Sequence, residues 1–145
     1  MRLREMRHQT SRVLVVVCDK GEEPVEVIGR ALADQGIRAA QVTGVGGFAS
    51  AEVGYLEHDG RGEYLRIPVR EQVEVLSLLG DVAEQDGEPA LHVHTVLGRR
   101  DGSTVGGHLL KAEVWPTLEV IVTEVAPELA KRYDPATGMA LISAG

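Results

Sequence analysis

The sequence predicts a β-rich α+β domain, with a mixed, largely antiparallel sheet and one main helix. Eight segments have strand character and one has helix character, and glycine-containing turn signals separate them. The length of 145 residues fits one domain better than two. We expect the domain at residues 12–126, preceded by a basic arm at residues 1–11 and followed by a tail at residues 127–145.

The helix is predicted after the turn at Gly21. Glu22 and Glu23 supply first-turn acids, Pro24 is tolerated there, and Gly36 is a stop signal. Between these limits apolar residues recur at helical spacing, namely Val25, Ile28, Ala31 and Leu32. The same spacing appears in no other segment of comparable length, so one long helix is expected.

The remaining segments have the composition of strands between turns. They cover residues 12–18, 39–44, 51–57, 63–69, 73–82, 90–99, 104–113 and 118–125. Residues 73–79 are almost continuously apolar, which is typical of a strand covered on both faces. The tail, with Asp134-Pro135 and Gly138, is expected to be a loosely ordered end or a short helical turn.

The glycine-rich stretch at residues 44–48 invites comparison with phosphate-binding loops. Such a loop needs a helix directly after the glycines, whereas residues 49–55 alternate as a strand. We therefore interpret the stretch as a tight turn or as a close approach of backbones between subunits.

The charge balance argues against nucleic acid as a partner. The chain has 15 Lys+Arg and 22 Asp+Glu, for a net charge of −7, which opposes phosphate binding. Four arginines lie in the first 12 residues, but no second basic cluster supports them, so we expect a solvated tail or an edge strand. The five aromatic residues are also few for a protein that stacks bases.

The single cysteine and the short apolar runs predict a cytoplasmic protein without a membrane partner. Cys18 has no second cysteine to pair with, and burial is expected to be its role. The longest apolar run, residues 13–18, is far shorter than a membrane-spanning helix.

Three histidines are predicted to meet on one hairpin. His92 and His94 are two residues apart on a predicted strand and therefore project from one face. A three-residue loop at residues 100–102, with Gly102 in the left-handed conformation, pairs His94 with His108 on that face. A two-residue turn at Asp101-Gly102 would instead turn His108 to the other face, unless a bulge at Gly106-Gly107 resets the register.

Three neutral imidazoles with an open fourth position suit a divalent metal. The arrangement is typical of zinc, and nickel, cobalt or iron would also accept it. A single histidine on a strand is more often a surface residue than a ligand, so the hypothesis depends on the convergence of His92, His94 and His108.

Four blocks of the sequence resemble the PPC domain, the plant and prokaryote conserved domain. They are residues 44–55, 74–80, 91–94 and 106–109, and the similarity extends from about Arg12 to Val125. The resemblance implies a mixed-sheet α/β fold, a homotrimer and, in some prokaryotic members, a metal held by histidines that map to His92, His94 and His108.

The resemblance also bears on DNA. In plants the domain follows AT-hook DNA-binding segments, whereas in bacteria and archaea it usually stands alone, and we expect the stand-alone type here. No Arg-Gly-Arg-Pro hook occurs in this sequence, which argues against minor-groove binding.

Competing functions follow from these features. The leading hypothesis is a homotrimeric, metal-binding PPC protein of undefined role. A second is a metal-dependent enzyme that uses the open metal position, with Glu52, Glu71 or Glu119 near the metal as proton carriers. A third is a DNA- or transcription-associated module. A cupin enzyme is a further rival, but the glutamate expected shortly after His94 is missing from residues 95–99.

Overall fold

The computed structural model describes residues 12–125 and 128–143. Its elements are β1 (Val13–Asp19), α1 (Pro24–Asp34), β2 (Ala40–Leu56), β3 (Tyr64–Val69), β4 (Val73–Gln85), β5 (Glu88–Gly98), β6 (Thr104–Glu124), β7 (Lys131–Asp134) and β8 (Met139–Ile142). The predicted β-rich fold with one helix is confirmed for these residues. The predicted basic arm at residues 1–11 lies outside them.

The six-stranded sheet has the order β1-β6-β5-β4-β2-β3, and β6 also pairs with β2. Every one of these pairings is antiparallel, so the prediction of a mixed sheet is wrong. Because β2 pairs with both β4 and β6, while β5 joins β4 to β6, these four strands close into a ring. Phe48, Leu97 and Leu118 are fully buried in the core.

The helix forms as predicted and packs against β1, β5 and β6. The Glu23 carboxylate caps its first turn by accepting a hydrogen bond from the Glu26 backbone N–H at 2.8 Å. Ile28 and Leu32 are fully buried. Gly36, just beyond the helix, has a φ of 65°, which glycine adopts without strain.

Two pairs of predicted strands are each one long strand. Apart from end residues 39, 57 and 125, the predicted strands 39–44 and 51–57 belong to β2, and those at 104–113 and 118–125 belong to β6. The register of β2 shifts between Gly44 and Gly46 where it pairs with β4, and at further points where it pairs with β6. These β-bulges let the glycine-rich stretch remain part of one continuous strand. The predicted tight turn at residues 44–48 is therefore wrong.

The glycines in β2 instead permit close packing within the chain. A Cβ at Gly47 would collide with the carbonyl oxygen of Trp115 in β6, and one at Gly46 would collide with that of Thr117. The structure thus shows a close backbone approach between β2 and β6 of one chain, whereas the sequence suggested one between subunits.

The tail forms a hairpin rather than a loose end or a helical turn. Strands β7 and β8 pair antiparallel in their own two-stranded sheet. Asp134 organises the turn, because its carboxylate accepts from the Ala136 N–H at 3.0 Å and its carbonyl accepts from the Gly138 N–H at 2.9 Å. The turn chemistry of Asp134-Pro135 and Gly138 therefore serves a β-hairpin.

Within the described residues, only one face of strand β4 is covered. Val73, Val75 and Leu78 are buried, but Leu76 and Leu79 are 55% and 56% exposed. With four further exposed apolar residues they line a groove of about 500 Å³. We call this surface the apolar face; it consists of Val15, Val17, Val45, Leu76, Leu79 and Ile121.

No helix among the described residues is long and apolar enough to cross a membrane.

The packing of β2 against β6 gives a test of the fold. Gly47→Ala should lower the free energy of unfolding by about 1–3 kcal/mol, because the new methyl group has no space against the Trp115 carbonyl. Urea unfolding followed by circular dichroism measures the change. Gly29→Ala in α1 is the control, because its Cβ meets nothing within 4 Å, and it should stabilise by about 0.5–1 kcal/mol. Equal effects of the two substitutions would contradict the assigned packing.

Candidate metal centre

The turn between β5 and β6 sets the position of His108. The Arg99 N–H donates to the Ser103 carbonyl at 2.8 Å, the Gly102 N–H donates to the Arg99 carbonyl at 2.9 Å, and Gly102 has a φ of 83°. This is the predicted three-residue loop, and it pairs His94 directly with His108. The alternative two-residue turn is wrong.

The three imidazoles form one cluster. His92 Nε2 lies 3.2 Å from His94 Nε2, and one ligand atom from each of the three histidines lies within 4.8 Å of the others. The ring centroids are 4.9 to 5.5 Å apart. The structure therefore brings together all three histidines that the sequence selected.

The cluster fits a tetrahedral metal. Bonds of about 2.0–2.1 Å to imidazole nitrogen require ligand nitrogens about 3.3–3.4 Å apart, and the His92–His94 pair at 3.2 Å is already close to this spacing. The third ligand atom, from His108, lies within 4.8 Å of the other two, so this ring must move closer to reach the spacing around a bound metal. In addition, His108 Nδ1 is buried without a hydrogen-bond partner, which leaves an imidazole nitrogen free for a ligand.

The environment favours the neutral form of two of the rings. Burial lowers the pKa of His108 to about 4, and the nearby His92, His94 and Lys131 act in the same direction. Burial also lowers the pKa of His94, assisted by His92 and opposed by Asp81. Because only neutral imidazole binds metal, these shifts favour the binding-competent form at neutral pH.

Asp81 is the carboxylate that contacts the cluster, and the sequence analysis missed it. Its Oδ2 lies 3.2 Å from His92 Nδ1, and its Oδ1 lies 3.2 Å from Lys131 Nζ. Burial raises the Asp81 pKa, but the hydrogen bond from His92 and the Lys131 ammonium outweigh burial and lower it overall. Asp81 is therefore ionised, and the His92 Nδ1–H donates to it.

A signal for Asp81 was present in the sequence. The Asp86-Gly87 turn joins β4 to β5 with positive φ angles of 52° and 88° at its two residues, as expected for a two-residue hairpin loop. Counting outward from that turn pairs Asp81 with His92, which is the register that the structure has.

The three glutamates predicted near the metal lie elsewhere. Glu52 forms an ion pair with Arg66, and Glu71 pairs with Arg99 at 2.8 Å. Glu119 lines the groove of the apolar face. None of them is among the residues that line the cleft over the histidines.

That cleft is open and has a volume of about 1070 Å³. Tyr64 of β3 stacks on His108, with centroids 4.6 Å apart and planes inclined by 14°. The C-terminal hairpin forms another wall, to which Lys131, Tyr133, Met139, Leu141 and Ile142 contribute. A metal at the cluster would thus face a space large enough for a small molecule.

The family follows from a match to the Plants and Prokaryotes Conserved (PCC) domain, which covers residues 6–126. The chain belongs to this family. The resemblance to the PPC domain is thereby confirmed.

Solved structures agree with the assignment to the PPC family. A metal-containing protein from Archaeoglobus fulgidus is 34% identical, with 99% of both chains covered and a TM-score of 0.85. A PPC protein from Pyrococcus horikoshii is 30% identical, with 95% of this chain and 97% of that one covered, and the TM-score is again 0.85. A Ralstonia eutropha protein proposed to bind DNA is 25% identical, with 89% of each covered and a TM-score of 0.79. The search of curated proteins finds no match.

The buried position of His108 predicts a pH effect in the metal-free protein. Its imidazole should titrate near pH 4 instead of about 6.5, as measured by the NMR shifts of its ring protons. The unfolded chain takes up this proton at the higher pH, so stability should fall as the pH drops from about 6.5 towards 4. A His108→Phe variant should lose that part of the pH dependence. A titration midpoint near the ordinary value would contradict the prediction.

Proposed function

We propose that this protein binds one divalent metal ion, with zinc as the first candidate, through His92, His94 and His108. The observation that carries the proposal is the convergence of three imidazole ligand atoms within 4.8 Å of one another. The Archaeoglobus fulgidus relative, described as metal-containing, supports it. Nitrogen-only ligation suits zinc, and nickel, cobalt and iron are alternatives that metal analysis distinguishes.

The arrangement favours an open site over a closed structural one. Structural zinc sites have four protein ligands, often cysteines, whereas three histidines leave a position for an exogenous ligand. All three histidines line the cleft of about 1070 Å³. When bound, a metal of this kind supplies a Lewis acid. Tyr64 stacks on the His108 ring at the edge of this cleft.

The cleft also favours a second candidate function, a metal-dependent enzyme that acts on a small molecule. Asp81 contacts the histidine cluster and lines the cleft, whereas the glutamates that the sequence suggested do not line it. Turnover that depends on added metal and disappears in a His92→Ala variant would support this function.

Removal of any one histidine should abolish stoichiometric metal binding. Each of His92→Ala, His94→Ala and His108→Ala removes one of three ligands, so metal content should fall from about one equivalent to a small fraction. Elemental analysis of the purified proteins measures it. His58→Ala is the matched control, because His58 is exposed and lies outside the cluster. Full occupancy in all three variants would refute the site.

We further propose that the protein is a homotrimer. The apolar face supports self-association, since Val15, Val45 and Leu79 are each more than half exposed on one side of the sheet. Contiguous exposed apolar surface of this kind usually marks an interface. The resemblance of the sequence to the PPC domain implies that three chains assemble.

Light scattering tests the assembly. The wild-type protein should have three times the mass of the 15.6-kDa chain. Val15→Glu places a charge on the apolar face and should shift the mass towards that of one chain, whereas Ala33→Glu on the exposed side of α1 should not. A wild-type mass of one chain at micromolar concentration would exclude the trimer.

Specific binding to duplex DNA is not part of the proposed function, although the Ralstonia eutropha relative is proposed to bind DNA. The net charge of −7 and the missing hook motif argue against it. We expect only weak, salt-sensitive retention in a mobility-shift assay, and none after deletion of residues 1–12. A shift that survives that deletion and about 0.2 M salt would overturn this expectation.

We propose a cytoplasmic location, with Cys18 as the supporting residue. Its side chain is fully buried, and burial raises its thiol pKa to about 11. A thiol that is protonated and enclosed has a packing role rather than a reactive one. A lone reduced cysteine is typical of proteins in reducing compartments.

A further inference from the structure

A chain of contacts connects the C-terminal hairpin to the histidine cluster. The Lys131 ammonium on β7 lies 3.2 Å from Asp81 Oδ1, and Asp81 Oδ2 accepts from the His92 Nδ1–H, also at 3.2 Å. The Lys131 side chain is only 7% exposed. Asp81 therefore contacts a strand of the main sheet through a hydrogen bond at Oδ2 and the hairpin through an ion pair at Oδ1, an oxygen that has no hydrogen-bond partner.

The hairpin itself is held at two ends. Next to β7, the backbone N–H of Glu84 in β4 donates to the Leu129 carbonyl at 3.2 Å. Glu84 and Ala130 also form an isolated parallel β-bridge. At the other end, the turn at Gly138 packs against the backbone of Gly60 and Gly62, so closely that a Cβ on Gly138 would lie 2.5 Å from the Gly60 carbonyl. Lys131 thus projects from a fixed support.

We propose that the C-terminal hairpin is a working part of the metal site: Lys131 fixes the Asp81 carboxylate, and Asp81 holds the His92 ring in the tautomer and orientation that direct Nε2 towards His94 and His108. The inference rests on the proposed metal site. It assigns to residues beyond the family match, which ends at residue 126, a role in ligand positioning.

The chemistry favours positioning over a simple surface ion pair. A carboxylate that accepts from one ring nitrogen leaves the lone pair of the other nitrogen free, which is the usual partner arrangement of a metal-binding histidine. The His92 Nε2 does face His94 Nε2 at 3.2 Å. Lys131 also balances the charge of Asp81, so the pair orients His92 without adding net charge beside the metal.

The decisive variant replaces the whole pair by apolar residues. Exchange of a buried ion pair for apolar side chains of similar size usually preserves the fold, so Asp81→Leu combined with Lys131→Met should remain folded by circular dichroism. Its affinity for Zn²⁺, measured by competition with a chromophoric chelator, should be about 10- to 100-fold weaker. Its ¹⁵N spectrum should show His92 losing the Nδ1–H tautomer.

The single variant Lys131→Met tests the hairpin on its own. Loss of the Lys131 ammonium removes a positive charge near the cluster and so favours metal binding directly, which makes Zn²⁺ affinity an unsuitable readout. The readout is instead the His92 tautomer in the metal-free protein, which should become mixed because Lys131 no longer fixes the Asp81 carboxylate. Lys131→Arg should restore the wild-type spectrum. Arg132→Met is the matched control, because Arg132 is the exposed next residue on β7.

The outcomes separate this inference from the metal proposal. Wild-type Zn²⁺ affinity in the double variant, or a wild-type His92 tautomer in Lys131→Met, overturns the positioning role even when the wild-type protein binds metal. A wild-type protein that binds no Zn²⁺ refutes the metal proposal instead, and the tautomer comparison still decides the positioning role. If the double variant fails to fold, Lys131→Met decides it.

Discussion

The register of β5 against β6 is the constraint on which the candidate site depends. His94 stands directly opposite His108 because the loop at residues 100–102 has three residues. A slip of one residue would turn every side chain of β6 to the opposite face. Asp101 reinforces this loop by accepting from the Ser103 N–H at 2.9 Å and from its hydroxyl at 2.6 Å. The loop residues therefore fix the pairing of His94 with His108, each of which lies six residues along the chain from the nearer end of the loop.

The glycines around the cluster allow its strands to approach one another. A Cβ at Gly107 would lie 2.5 Å from the Gly54 carbonyl of β2, and one at Gly106 would lie 2.6 Å from the Thr95 carbonyl of β5. At Gly80 in β4, a Cβ would collide with the His92 carbonyl. Residues next to His108 and His92 thus lack side chains because neighbouring backbones occupy that space. The cluster is assembled on a rigid, tightly packed part of the ring, which suits the precise ligand spacing that a metal needs.

The features that the sequence predicted correctly are local ones. The helix between Pro24 and Gly36, the loop at Gly102 and the His94–His108 pair each depend on residues within one turn, helix or hairpin, although Glu23 caps the helix instead of lying in its first turn. Asp81 was within reach of the same reasoning across the Asp86-Gly87 turn. Lys131 could not be found in this way, because its contact with Asp81 joins segments 50 residues apart. Turn residues and hydrophobic periodicity do not predict contacts over such a distance. For the same reason the glycines of β2 suggested a turn, since the pairing with β6 that requires them is long-range.

The apolar face and the histidine cluster are neighbours on the sheet. Leu79 of β4 stands directly opposite His94 of β5, and Asp81 stands opposite His92. Residues directly opposed in an antiparallel pair project from one face, with Cβ atoms about 5 Å apart. A second copy of the chain that covers Leu79 would therefore reach the border of the cluster. In the trimer proposed above, assembly would narrow the approach to His94 from this side, whereas the C-terminal hairpin, which lines the cleft over the histidines, contributes no residue to the apolar face.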